Sequence, residues 1–389
     1  MNRVIIDLDV LRHNMSVIGQ WMKKYGATWT IVTKVLCGHR ETIKALLALG
    51  VQSIGDSRLE NLKMIKNPEG EFEVWYLRVP DLSSVKDVVS YSHISLNSEI
   101  ETIKAINAEA MAQGKIHRIV IMIELGDLRE GILPGTLVNF YDEIFRLENI
   151  NVIGIGTNLG CLSGIVPTVD QFTQLVLYRE LLELKFGRML PLVSAGSTAV
   201  LPVLLSGQLP KAINHFRVGE AVFLGTDLLN GGTLPGLRND AITVEAEIAE
   251  IKEKGLVPLG EAGVTSPFDN ESPEETVPGQ RGYRALVSIG ELDTDVSGLT
   301  PINPEYSIAG ASSDLLVVNV GDEKGSLRMG DTISFRVNYA ALLRLMSSRY
   351  VTRVITPSLQ NFTDDVEEQD VTVAEGTGSL KTVNADEES

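Results

Sequence analysis

The sequence predicts an α/β protein: a (β/α)8 TIM-type barrel followed by a mostly antiparallel β domain. Two observations carry that prediction. Up to residue 219, eight short apolar segments alternate with amphipathic helical stretches, the pattern of a parallel sheet covered by helices. After residue 228 that texture gives way to apolar–polar alternation broken by Gly and Pro. Eight strand–helix units in about 220 residues favour a closed barrel over an open doubly wound sheet. The open sheet is further weakened because no GxGxxG follows the first strand.

The elements follow in order. Leu8, Leu11, Met15, Ile18 and Met22 fall at helical spacing. The first strand covers about 28–33 and ends at Lys34. ETIKALLAL is a helix stopped by Gly50. VQSIG, EVWYLR and HISL are strands, separated by the helices SRLENLKMI and SSVKDVV. SEIETIKAINAEAMAQ is an amphipathic helix ended by Gly114. HRIVIMIEL, NVIGIGTN, PLVSAG and NHFRVG are the remaining strands, with helices at GTLVNFYDEIFRL, VDQFTQLVLYRELLELK and TAVLPVLL between them. AITVEAEIAEIKEK, YRALVSIGEL, YSIAGASSDLLVVNV and GDTISFRVNY read as strands and turns with hardly any helix. The expected domains are 1–228 for the barrel, with residues 1–8 able to join the β domain, then 229–356 for the β domain. Residues 357–389 carry nine acids and one lysine with few large apolar residues. They read as an acidic tail, disordered or loosely docked.

Composition excludes several classes. The net charge of −17 argues against nucleic-acid binding, which needs basic clusters. No apolar run reaches the length of a membrane span. The opening MNRVIIDLDVLRHN carries early acids and no apolar signal core, so it does not read as a signal peptide. Two cysteines, Cys37 and Cys161, make no disulfide framework and suit a reducing cytoplasm. The scattered histidines give no metal-ligand spacing.

In a barrel of this kind, chemistry gathers at the C-terminal ends of the strands. Those ends carry Lys34; Asp56 and Arg58; Arg129; Asn158; Ser194, Gly196 and Ser197; and Arg217 and Gly219. SAGST places a glycine turn and hydroxyls at a helix start, and RVGE adds a second turn after the next strand. Free N–H groups at such positions attract an anion. A strand-end lysine opposite two phosphate-type turns suggests pyridoxal phosphate. Its aldehyde joins the lysine amine as a Schiff base, and the ring acidifies the α-hydrogen of a bound amino acid. Each residue also has an ordinary reading. Lys34 alone would pass for a surface lysine, Arg129 for the partner of Asp127, Tyr339 for strand packing, and Cys37 for a small filler.

IIDLDVLRHN, VTKVLCG, GDLREG, TNL, SAGS, FRVGEAVFLG, GASSDLLVVNV and NYAALLRLMSSRYVTRVI occur in order from residue 4 to 355. Together they resemble the alanine racemase family, the fold-type III pyridoxal-phosphate enzymes. TKVLCG, GDSRLENL, GDLREG, GTNLGC, INHFRVGEAVFLG and GASSD look most like the ornithine racemase branch, whose substrates are basic amino acids. The resemblance implies that Lys34 carries the Schiff base and that Arg217 faces the pyridine nitrogen. Ser197, the Gly219 and Glu220 amides and Tyr339 would hold the phosphate, within the turn that includes Ser194 and Gly196. Arg129 would contact the cofactor oxygen or the substrate carboxylate. Asn158 would lie against the ring. Ser313 and Asp314 would come from the second subunit of a head-to-tail homodimer.

Four departures stand out. Cys37-Gly38-His39 is one residue short of the family's lysine motif, and Asn158 replaces a histidine. IMIELGD lacks the family's carbamylated lysine, and no tyrosine lies near VPLGEAGVTSPF. Racemization needs a proton donor on each face. With Lys34 on one face, the other donor is left open among Ser313, Tyr283, Asp314 and a water. A cationic substrate side chain would need a carboxylate, with Glu220, Glu261 and Asp314 as candidates. Two readings of other kinds remain: a non-catalytic pyridoxal-phosphate carrier or regulator, and an aldolase or decarboxylase on the same fold. Carrier relatives are usually single-domain, so the β domain speaks against the first. An aldolase would need a metal, and a decarboxylase would release carbon dioxide.

Overall fold

The computed structural model describes residues 2–65, 72–257 and 279–378. The chain opens with strand β1 (Arg3–Asp7) and helix α1 (Leu8–Tyr25). Asp7 caps α1 by accepting from the Asp9 and Val10 amides, and the predicted stripe from Leu8 to Met22 is buried.

Eight strands then close a barrel: β2 (Thr28–Val32), β3 (Ser53–Asp56), β4 (Glu73–Tyr76), β5 (Ile94–Asn97), β6 (His117–Met122), β7 (Ile150–Gly156), β8 (Leu192–Ser194) and β9 (His215–Val218). Each is parallel to its neighbours, and β9 returns to pair with β2. The outer helices are α2 (Arg40–Ala48), α3 (Leu59–Met64), α4 (Val85–Tyr91), α5 (Ile100–Ala112), α6 (Leu137–Ile144), α7 (Val169–Phe186), α8 (Leu201–Leu205) and α9 (Glu220–Leu224). The helix-facing side chains form one continuous core. A separate cluster of Trp75, Ile94, Leu96, Val120 and Met122 is built from β4, β5 and β6. All eight expected barrel strands are present and closed. Lys34 is the one small displacement: it lies just beyond β2, opening the short 3-10 turn Lys34–Leu36.

The second sheet is built from β10 (Ile242–Gly255), β11 (Arg281–Val287), β12 (Leu299–Pro301), β13 (Ser307–Ala311), β14 (Leu316–Gly321), β15 (Thr332–Val337) and β16 (Thr352–Thr356). Its order is β12-β15-β10-β11-β14-β13. β1 joins it, antiparallel to β10 and parallel to β16. The N-terminal strand therefore belongs to the second sheet, although the chain next enters the barrel.

Two stretches differ from the sequence reading. Helix α10 (Tyr339–Ser347) interrupts a region expected to be strands. Asn338 caps it by accepting from the Ala341 amide, and Ala341, Leu342, Leu345 and Met346 are buried. Helix α11 (Leu359–Gly378) occupies much of the expected disordered tail. Leu359, Phe362 and Val366 lie on one helical face against the core, and Phe362 is 0 % exposed. That spacing is an apolar stripe, hidden in the sequence by the acids between its members. α11 packs against α2, and the Arg12 guanidinium lies 5.4 Å from the Phe362 ring centre. Residues 379–389 of the tail lie outside the described residues.

Candidate active site

The C-terminal ends of the barrel strands open into a cavity of about 750 Å³. Lys34, Arg129, Asn158, Ser197, Arg217, Gly219, Glu220 and Tyr339 all line it. The sequence had placed these residues at separate strand ends, in the loops that follow, and on a distant segment. Tyr339 reaches the cavity because α10, from the second domain, packs on the turn that carries Lys34. Lys34 Nζ lies 5.6 Å from the centre of the Tyr339 ring. Burial, and then the nearby Glu220 carboxyl, push the Tyr339 hydroxyl above its ordinary pKa.

Arg217 is the buried cation of the site, only 5 % exposed. It donates to Ser194 Oγ and, at 2.8 Å, to the Thr157 carbonyl. Burial pushes its pKa down to about 10, so it remains charged at neutral pH. Behind it, His215 lies between Ser194 and Thr30. Its Nδ1 is 2.9 Å from Ser194 Oγ, and its Nε2 is 3.1 Å from Thr30 Oγ1. The imidazole stacks on Trp75 with ring centres 4.6 Å apart. Ser194 and Gly196, expected beside the cofactor, are not among the residues that line the cavity and stand behind Arg217. Ser194 holds the Arg217 guanidinium, and the Gly196 carbonyl accepts from the Arg217 amide at 2.8 Å.

Arg129 does not pair with Asp127. Its guanidinium forks onto the neighbouring Glu130 carboxylate. Glu124 accepts from the Leu128 and Arg129 amides at 3.1 and 3.3 Å. Asp127, 1 % exposed, accepts instead from the Cys161, Leu162 and Ser163 amides at 3.3–3.4 Å. The loops after β6 and β7 are therefore tied together at the cavity edge.

Ser313 and Asp314 lie outside this cavity. Ser313 is half-buried and Asp314 exposed, with Ser313 Oγ donating to Asp314 at 2.6 Å. Tyr283 on β11 does not line it either, and Glu261 lies outside the described residues. The sequence reading missed Ser57, Arg78, Glu130, Cys161 and Thr198 as lining residues. Glu130 and Cys161 had a usable signal, since both follow strand ends beside residues that were chosen.

The residues present fit pyridoxal phosphate. Asn158 Nδ2 is buried at the cavity with no hydrogen-bond partner among the described residues, a donor waiting for an acceptor. A Cβ at Gly219 would sit 3.0 Å from the Val32 Cβ and carbonyl oxygen, a tight approach that favours glycine there. Lys34 supplies the amine and Arg217 a buried donor. Ser197, Thr198, Gly219 and Glu220 line the same cavity, and their hydroxyls and amides could hold a phosphate there.

A barrel with a lysine just past its first strand, a buried arginine within its last and a second β domain define a lysine-centred cofactor enzyme. The chain belongs to the alanine racemase family: the model for the alanine racemase N-terminal domain matches residues 6–227. The ornithine racemase of Acetoanaerobium sticklandii is 39 % identical over 352 residues, 90 % of this chain and 98 % of that protein. The lysine racemase of Thermotoga maritima is 34 % identical over 358 residues, 92 % of this chain and 99 % of that protein. The alanine racemase of Streptomyces coelicolor A3(2) shares the fold at TM-score 0.70 and 18 % identity, over 92 % of this chain and 98 % of that one. The alanine racemase of Bartonella henselae, solved with covalently bound pyridoxal phosphate, aligns at TM-score 0.67 and 15 % identity, over 91 % and 99 %. The family resemblance read from the motifs is borne out.

Proposed function

We propose that the protein is a pyridoxal-phosphate-dependent amino acid racemase acting on a basic amino acid, ornithine or lysine. The convergence of Lys34, Arg129, Arg217 and Tyr339 on one cavity carries this reading. The ornithine and lysine racemases, similar over nearly their whole length, support it. The cofactor, when bound, supplies an electron-withdrawing ring that acidifies the substrate's α-hydrogen.

The chain's own residues do the rest. Lys34 would hold the cofactor covalently and move a proton at Cα. Arg217 would hold the ring nitrogen and keep its own proton, because a guanidinium is a very weak acid. Ser197, the Gly219 and Glu220 amides and Tyr339 would hold the phosphate, and Asn158 would offer its unpaired amide to the ring. Arg129, fixed by Glu130, takes the cofactor oxygen or the substrate carboxylate. The substrate's distal ammonium meets Glu220, a carboxyl inside the cavity. A head-to-tail homodimer would bring Ser313 and Asp314 of the partner subunit to the mouth of the site. Among the described residues no helix is long and apolar enough to cross a membrane, and we place the enzyme in the cytoplasm.

The test is spectroscopic and isotopic. The purified protein should show the visible band of lysine-bound cofactor, absent in Lys34→Ala. In heavy water it should exchange the α-hydrogen of ornithine or lysine and abolish optical rotation. A bound cofactor without exchange on any amino acid would return the protein to the carrier reading.

A further inference from the structure

We infer that Cys161 is the second acid–base group of this site, moving the substrate's α-proton on the face opposite Lys34. The inference rests on the racemase reading and supplies what that reading lacks. Racemization breaks a Cα–H bond on one face and makes one on the other, so a lone lysine serves it poorly.

The cavity narrows the choice. Besides Lys34, its arginines and the hydroxyls of Ser57, Ser197 and Thr198, the cavity is lined among the described residues by the thiol of Cys161, the carboxyls of Glu130 and Glu220 and the phenol of Tyr339. Glu130 is bound to the Arg129 fork. Tyr339 stands beside Lys34, and the Glu220 carboxyl feels the Lys34 charge; both belong to the lysine's own wall. Cys161 does not. In the ring order β2-β3-β4-β5-β6-β7-β8-β9, Lys34 follows β2 and Cys161 follows β7, three places away round the closed barrel. The two side chains therefore enter the mouth from different sides.

Cys161 is also exposed to the cavity and carried on a fixed backbone. Its amide donates to the buried Asp127 carboxylate at 3.3 Å, as do the next two amides at 3.3 and 3.4 Å. A charge on its sulfur would be felt by Arg129 and Arg217, two cations on the same cavity. Ser313, Asp314 and Tyr283, the groups considered from sequence, lie outside the cavity of this chain.

The step balances as proton transfer alone. For one enantiomer the thiolate accepts the α-proton, forming S–H while the C–H electron pair stays with the substrate carbon. Lys34 in its ammonium form then gives a proton to the opposite face, and that pair closes the new C–H bond. The reverse reaction exchanges the two roles.

The test compares wild-type holoenzyme, Cys161→Ser and Cys161→Ala with each enantiomer of ornithine and lysine separately in heavy water. The visible spectrum is recorded alongside. Racemization should fall by about 100-fold or more with the cofactor band unchanged. α-Hydrogen exchange should survive for one enantiomer, with retained configuration, and fall for the other. Iodoacetamide with peptide mass mapping supplies a readout apart from turnover: bound cofactor plus amino acid should protect Cys161 from alkylation. Racemization within about threefold of wild type in both variants would overturn the inference, as would equal loss of exchange from both enantiomers. So would one-sided loss in Ser313→Ala or Asp314→Asn but not in Cys161→Ser. A wild-type holoenzyme that exchanges no amino acid would instead defeat the racemase reading itself.

Discussion

Ser194 accepts a hydrogen bond from the buried Arg217 guanidinium and stands 2.9 Å from His215 Nδ1. One hydroxyl thus joins the cation at the cavity wall to a polar chain running through Thr30 to Ser53. Ser194→Ala leaves Arg217 and His215 each short of a buried partner. It should destabilise the fold by about 1–3 kcal/mol, read by urea unfolding. It should also weaken cofactor retention, because Arg217 loses a fixed orientation; unchanged retention on dialysis would separate Ser194 from that role.

The same chain predicts a pH dependence. Burial, and then the Arg217 charge, push His215 from 6.5 down to about 3. Between those values the unfolded chain binds a proton that the folded chain refuses. The stability from this group is full above about pH 6.5 and falls with pH by about 1.4 kcal/mol per unit until roughly pH 3. His117, pushed by burial to about 4, acts in the same direction. Asp56 and Glu220, raised by burial, act oppositely, so wild type is the necessary comparison. Unfolding free energies between pH 4 and 7 should show a shallower slope in His215→Gln, whatever its stability at pH 7.

The barrel and the polar ends of its strands were legible because both follow from periodicity. Strand-end position picked out Lys34, Arg129, Asn158 and Arg217, and all four line one cavity. It could not say which residues of a Gly-Ser turn face inward. Ser194 still belongs to β8 and points to Arg217, whereas Ser197 and Thr198 come after the turn and reach the cavity. His215 was hidden because a buried, stacked imidazole looks in sequence like any polar residue in a strand. Phe362 was hidden because a stripe of three apolar residues was outweighed by surrounding acids.

Phe362 supplies a test of that last point. Its side chain is fully buried where α11 meets the body of the protein. Phe362→Ala should cost about 3–5 kcal/mol of stability, and ending the chain before Leu359 should cost at least as much. Both proteins should keep the visible cofactor band at temperatures where they remain folded. A truncated chain with unchanged unfolding would mean that α11 contributes no net stability.

The Arg129 guanidinium donates to the Glu130 carboxylate at the cavity wall. Glu130→Gln removes the charge while keeping the shape, freeing the guanidinium to swing. We expect kcat/KM to fall about tenfold, which is about 1.4 kcal/mol. Glu130→Asp should recover part of it. If Arg129 holds the substrate carboxylate, the loss should appear mostly in KM. If it holds the cofactor, the visible spectrum should shift.

In the proposed function Glu220 is the carboxyl that would select a basic substrate. Burial raises its carboxyl pKa, while a Thr226 hydrogen bond and the Lys34 charge act the other way. A carboxyl held this way gains most from a further cation, and ornithine and lysine each bring one. Replacing it with Gln keeps the size and the hydrogen bond to Thr226 but removes the charge. KM for ornithine and lysine should rise about tenfold or more, whereas KM for a neutral amino acid of similar length should stay the same or fall. That asymmetry is the informative quantity, because a defect in cofactor binding would weaken all substrates alike. Parallel loss on basic and neutral substrates would move Glu220 from the substrate pocket to the cofactor and leave the distal ammonium to another carboxylate.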